Sequence, residues 1–91
     1  MEQDTEQDSI IPYPCDFPIK IFGRNHPEFS ASIVAVVMRH APDFDAASVE
    51  WRLSNGNNYL SVTCTIRAVS RAQLDALYQD LVDHPLVKMV L

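Results

Sequence analysis

The sequence predicts an α+β fold in which four strands form one mostly antiparallel sheet and two helices lie together on one of its faces. Three observations predict it. Apolar residues alternate with polar ones in four separate stretches, the period of a half-buried strand. Two other stretches carry apolar residues at spacings of three and four, the period of a helix with one buried side. Between the second and third alternating stretches stands SNGNN, whose Asn55 and Gly56 both tolerate the positive φ of a tight turn, so those two strands pair antiparallel.

The opening MEQDTEQDSIIPYP is acidic and polar, then carries two prolines, and follows neither period. Residues 1–13 are therefore expected to be a disordered acidic tail and residues 14–91 the folded domain. Phe17, Ile19 and Ile21 alternate with Pro18, Lys20 and Phe22 in the first strand, which Gly23 stops. In the stretch that follows, Asn25 reads as the N-cap of a helix, with Pro27 in its first turn and Glu28 completing a capping box. Phe29, Ile33, Val36, Val37 and His40 make the buried side of that helix, and Pro42 ends it. Its β-branched residues are weak helix formers, so packing must hold it. APDFDAA then makes a loop.

Val49, Trp51 and Leu53 turn inward from the second strand; Leu60, Val62, Cys64, Ile66 and Ala68 do so from the third. Ser70 and Gln73 form a capping box for the second helix, Val69 can meet Leu74 as a hydrophobic staple, and Leu74, Leu77, Tyr78 and Leu81 are its buried stripe. His84 and Pro85 close it. In the last strand Val87, Met89 and Leu91 alternate with Lys88 and Val90. The order is β, α, β, β, α, β, with each βαβ half joining parallel neighbours by a right-handed crossover: the ferredoxin-like sandwich.

With the helices on one side, the other face of the sheet falls to Lys20, Phe22, Glu50, Arg52, Tyr59, the outward residues of the third strand, Lys88 and Val90. A solvated face explains this set; a partner surface built from Phe22, Arg52, Tyr59, Thr63, Arg67 and Lys88 is the functional alternative. The outer strands, 49–53 and 87–91, each keep an unpaired side, which offers β-augmentation or a weak homodimer through edge or face.

Composition narrows the chemistry. A chain of 91 residues with 47% hydrophobic content can build one core without staples. A net charge of −5, with only seven Lys and Arg, works against nucleic-acid and anionic-membrane binding, whose affinity comes from neutralised phosphates. The two cysteines are too isolated for a metal-binding pair, and His26, His40 and His84 have no ligand spacing, so no metal and no cofactor is expected. Cys64 reads as a buried thiol. A Cys15–Cys64 disulfide is a minor alternative, and reduced thiols suit a cytoplasmic location. No serine stands in a recognisable hydrolytic motif, so the chain is not expected to be an enzyme. The alternatives are a thiol-dependent enzyme that uses Cys15 with Asp16 or a distant histidine assisting, and a weak single-stranded RNA binder on Phe22 and Tyr59.

Two resemblances add to this reading. The GRNHP segment, at the start of the first helix, is similar to the ligand loop of ACT domains, small-molecule sensors of the same architecture. Glu28 stands where those domains carry a second glycine. The resemblance implies a small-metabolite site at Gly23, Arg24, Asn25, His26 and Glu28. From about Pro14 to Leu91, the segments PCDFPIKIFG, RHAP, SNGNNYLSVTCTI and VKMVL, in that order, resemble the YbeD-like family of small bacterial proteins. That family implies an ACT-like ferredoxin sandwich and supplies no catalytic residues. The expectation is a noncatalytic regulatory domain that binds a small metabolite or a protein.

Overall fold

The computed structural model describes residues 12–91; most of the expected tail lies outside them. Four strands, β1 (Cys15–Arg24), β2 (Glu50–Leu53), β3 (Tyr59–Ala68) and β4 (Val87–Val90), form one sheet in the order β2-β3-β1-β4. Helices α1 (Phe29–His40) and α2 (Arg71–Asp83) pack on each other and on one face of it. This is the predicted βαββαβ sandwich. All neighbouring strands pair antiparallel. The expected parallel neighbours are not adjacent, because each crossover passes over one intervening strand.

The periods read from the sequence build the core. Ile19 and Ile21 of β1, every second residue of β3, Phe29, Ile33, Val36 and Val37 of α1, and Leu74, Leu77 and Leu81 of α2 are buried together. β1 and β3 are paired over ten residues each, from Cys15 opposite Ala68 to Arg24 opposite Tyr59. Phe44, from the loop after α1, also enters the core at 6% exposure. That loop was not expected to contribute.

Gly23 does not stop β1. It lies inside the strand, opposite Leu60 and Val87, where α1 and the turn before β4 come closest. A Cβ there would stand 2.3 Å from the Leu86 carbonyl oxygen and 2.4 Å from Phe29 Cε1. Glycine is required by space, since its φ is not positive.

The two helix starts differ. Ser70 caps α2 as predicted: its Oγ accepts the Gln73 N–H at 3.1 Å, while Gln73 Oε1 accepts the Val69 N–H at 2.7 Å. A cap of this kind is worth about 1 kcal/mol. Val69 remains 58% exposed, so the staple buries little. At α1, Asn25 is not the cap. The helix begins at Phe29 after Glu28, which makes no side-chain cap, and Asn25 instead donates from Nδ2 to the Asn57 carbonyl at 2.9 Å. The turn is closed by His26, whose Nδ1 accepts the Glu28 N–H at 3.0 Å.

In the β2–β3 hairpin, Gly56 (φ 83°) and Asn57 (φ 61°) take the left-handed conformation, one residue later than expected. Asn tolerates it because its short polar side chain can hydrogen-bond locally. Ser54 closes the loop by exchange with Tyr59: the Ser54 N–H reaches the Tyr59 carbonyl at 2.9 Å, and the Tyr59 N–H reaches Ser54 Oγ at 3.1 Å.

Two further expectations are corrected at the sheet edges. β2 is exposed along its whole length, with Trp51 at 62% and Leu53 at 40% exposure. Trp51 keeps the predicted phase, opposite buried Val62, but β2 extends past the cover of the helices, so Trp51 is no core residue. In β4 the phase itself changes. Phe22 lies opposite Met89 and Gly23 opposite Val87, which makes Lys88 the extra residue of a β-bulge. Val87 and Val90 therefore both pack on the core, while Met89 turns to the open face with 49% exposure. Leu91 also leaves the core: it exchanges hydrogen bonds with Lys20 at 2.8 and 3.2 Å and is 63% exposed.

Candidate functional site

Strand alternation decides what the uncovered face of the sheet presents. The residues opposite one another on it are Asp16 and Arg67, Lys20 and Thr63, Phe22 and Ser61, Arg24 and Tyr59 between β1 and β3, then Glu50 and Thr63, Arg52 and Ser61 between β2 and β3. Four of the chain's seven basic residues, Lys20, Arg24, Arg52 and Arg67, share this face. Among the described residues of these strands only Asp16 and Glu50 are acidic. An acidic protein thus carries a basic sheet face.

Arg67 Nη1 is held by Asp16 at 3.2 Å, an exposed pair worth little to stability. Arg24 lies over the Tyr59 ring with 6.0 Å to its centre, at the outer limit of a cation–π contact. Lys20, Arg24 and Arg52 against Glu50 leave the local excess positive.

Two shallow depressions adjoin on this face and share Arg52 and Ser61. One, of about 240 Å³, has polar walls from Lys20, Glu50, Arg52 and Thr63, with Trp51 at its outer end. The second, of about 190 Å³, is walled mainly by Phe22, Leu53, Tyr59 and Leu60. A charged recess beside an apolar one fits a ligand with both an anionic and an apolar group. Of the six residues expected to form a partner surface, Phe22, Arg52, Tyr59 and Thr63 come together here. Arg67 lies toward the far end of β3 with Asp16, and Lys88 on the β4 bulge. Lys20 and Met89 belong to the same face, while Leu53, opposite buried Leu60, lines the apolar recess from the edge strand; Lys20 was legible from its alternation, whereas nothing in the sequence marked the bulge that turns Met89 outward.

The loop from Gly23 to Glu28 lines neither depression. Gly23 is buried in β1, and Arg24 faces the sheet surface with Tyr59. Asn25 is tied to the hairpin through its side chain and through its N–H, which reaches the Asn58 carbonyl at 3.0 Å. His26 spends its Nδ1 on Glu28. The loop's polar groups thus fasten α1 to the hairpin.

Both cysteines are free. Ile19 lies opposite Cys64 and Cys15 opposite Ala68, so the two thiols are separated by four residues along the ladder, roughly 13 Å, and cannot bridge. Burial pushes the Cys64 thiol up to about 11. Cys15 packs against the core side, while its neighbour Asp16 faces the opposite side with Arg67, so Asp16 cannot assist Cys15. Among the described residues no group of three or more His, Cys, Asp or Glu could hold a metal ion, and no helix is long and apolar enough to cross a membrane.

One polar cluster lies on the helix side. His40 Nε2 meets Asp80 Oδ2 at 2.6 Å, Arg39 stands 3.6 Å from the same oxygen, and Gln73 Nε2 donates to the His40 carbonyl at 2.9 Å. The hydrogen bond from His40, assisted by the Arg39 charge, holds the Asp80 carboxyl below its ordinary range. The cluster joins the end of α1 to α2 and faces no recess of the sheet.

Comparison of the sequence with known proteins relates it to a family and to several bacterial proteins. A family model described as a protein of unknown function (DUF493) matches residues 8–91. A UPF0250 protein of Nitrosomonas europaea is 54% identical over 85 residues, covering 93% of this chain and 98% of its own. One from Bordetella pertussis is 54% identical over 85 residues, covering 93% of each chain. A third, from Paraburkholderia phytofirmans, is 52% identical over 84 residues, covering 92% of this chain and 94% of its own.

Proposed function

The chain belongs to the DUF493 family of bacterial proteins, and from that premise we propose that it is a noncatalytic, cytoplasmic regulatory domain that works by binding a protein partner on its open sheet face. The partner's segment carries acidic side chains next to an apolar one. The observation that supports this is charge segregation: four of seven basic residues lie on one face of a protein with a net charge of −5, around adjoining charged and apolar recesses. Such complementarity sets orientation and association rate. Phe22 and Tyr59 supply apolar area with little entropy to lose, and Arg52, between the recesses, supplies the charge.

A metabolite site at Gly23, Arg24, Asn25, His26 and Glu28 is the less supported reading, because Asn25 and His26 are engaged within the chain.

The test is a titration of the isotopically labelled full chain, followed by NMR, with an acidic peptide that carries one leucine and, separately, with a single-stranded oligonucleotide. Amide shifts centred on Phe22, Arg52, Tyr59 and Thr63 with the peptide, lost in Tyr59→Ala, are expected. No shift with the peptide, or a response to the oligonucleotide alone, overturns the proposal.

A further inference from the structure

We propose that the chain forms a reversible two-fold dimer in which β2 pairs antiparallel with β2 of a second copy, centred on Trp51. This concerns the outer edge of the sheet and does not rest on the binding role assigned to its face.

Among the described residues neither outer strand has a second partner, since β2 and β4 end the sheet. An open edge invites pairing with another chain, and proteins blunt such edges with lysines, bulges and inward charges. β4 carries both a bulge and a lysine, at Lys88. β2 carries neither: its register with β3 runs unbroken from Glu50 to Leu53. The chain's single tryptophan sits on this unkinked strand, 62% exposed, with Leu53 two residues on at 40%. Exposed Trp on an open edge is the residue type that anchors interfaces.

The sequence EWRL then selects the partner. An antiparallel pairing about Trp51 sets Trp51 opposite Trp51 of the second copy, on the side of the helices. On the open side the same register sets Glu50 opposite Arg52 of the partner, and Arg52 opposite the partner's Glu50. Two cross-strand pairs of opposite charge form at once, and the two-fold axis generates both from one. Shifting the pairing by one residue moves the side chains to opposite faces and breaks this match. A strand of four residues buries little, so the dimer is weak and exchanges with monomer.

The full chain, studied by sedimentation over a wide concentration range, is expected to show a monomer–dimer equilibrium. Trp51 emission should shift to shorter wavelength as the dimer forms. Glu50→Arg alone and Arg52→Glu alone place like charges in contact twice and should each weaken the dimer roughly tenfold or more. The double reversal, Glu50→Arg with Arg52→Glu, restores opposite charges and should recover it. Circular dichroism checks that each variant is folded. A monomer at every soluble concentration overturns the proposal. So does a dimer indifferent to either single reversal, or one that both reversals together leave broken.

Discussion

Replacing Gly23 with alanine adds one methyl group where the molecule has no room for it. The new carbon would lie 2.3 Å from the Leu86 carbonyl oxygen, 2.4 Å from Phe29 Cε1 and 2.8 Å from Phe29 Cζ, against an ordinary contact of about 3.5 Å or more. Phe29 is fully buried at the base of α1, so its ring cannot swing into solvent. The Leu86 oxygen is backbone, and moving it drags the entry to β4. Overpacking of this kind costs typically 1–3 kcal/mol, and with two unyielding neighbours the upper end, about 3 kcal/mol, applies. For a domain whose stability lies between about 5 and 15 kcal/mol, that is a large fraction. The melting temperature should fall by roughly 12–24 °C. Urea unfolding followed by circular dichroism measures the loss. Adding Phe29→Leu should not rescue it, because the carbonyl contact remains and a cavity opens beside it. A loss below about 1 kcal/mol for Gly23→Ala would refute the close approach of β1, α1 and the Leu86 turn.

Two other outcomes follow from the cysteines and the interhelical cluster. Iodoacetamide should alkylate Cys15 in the native protein and reach Cys64, whose thiol is raised to about 11 by burial, only after unfolding; rapid native labelling of Cys64 would contradict its place in the core. Asp80 is held below the ordinary carboxylate range, so its stabilising contribution is present above that range and lost as the pH falls below it. Asp80→Asn should therefore melt below the native protein at neutral pH and converge with it in strong acid; a difference that grows on acidification has the wrong sign.

Much of this fold is legible in the sequence because β1 and β3 are central strands with one covered side, where burial imposes strict alternation. The helices are legible for the same reason: Phe29, Ile33, Val36 and Val37 must share one side. Legibility fails where burial stops deciding. Trp51 has the right phase, yet sequence period cannot tell how far helix cover extends across a sheet. Val90 was expected outward and Met89 inward because four residues with a bulge hold too little alternation to reveal a shift. Asn25 has the chemistry of a helix cap, but a carbonyl from a hairpin more than thirty residues away claims its amide. The charge segregation of the open face was present in the residues. It becomes visible once β1, β2 and β3 are laid side by side in register.

For the proposed dimer, the extra residue at Lys88 has a further consequence, a limit on how many chains can be joined. With two equally inviting margins, each newcomer would offer a fresh one to the next, and a ribbon could lengthen without end. With one margin kinked, two molecules joined by their smooth sides leave only kinked ends. Straightening that kink by deleting Lys88 would remove the stop.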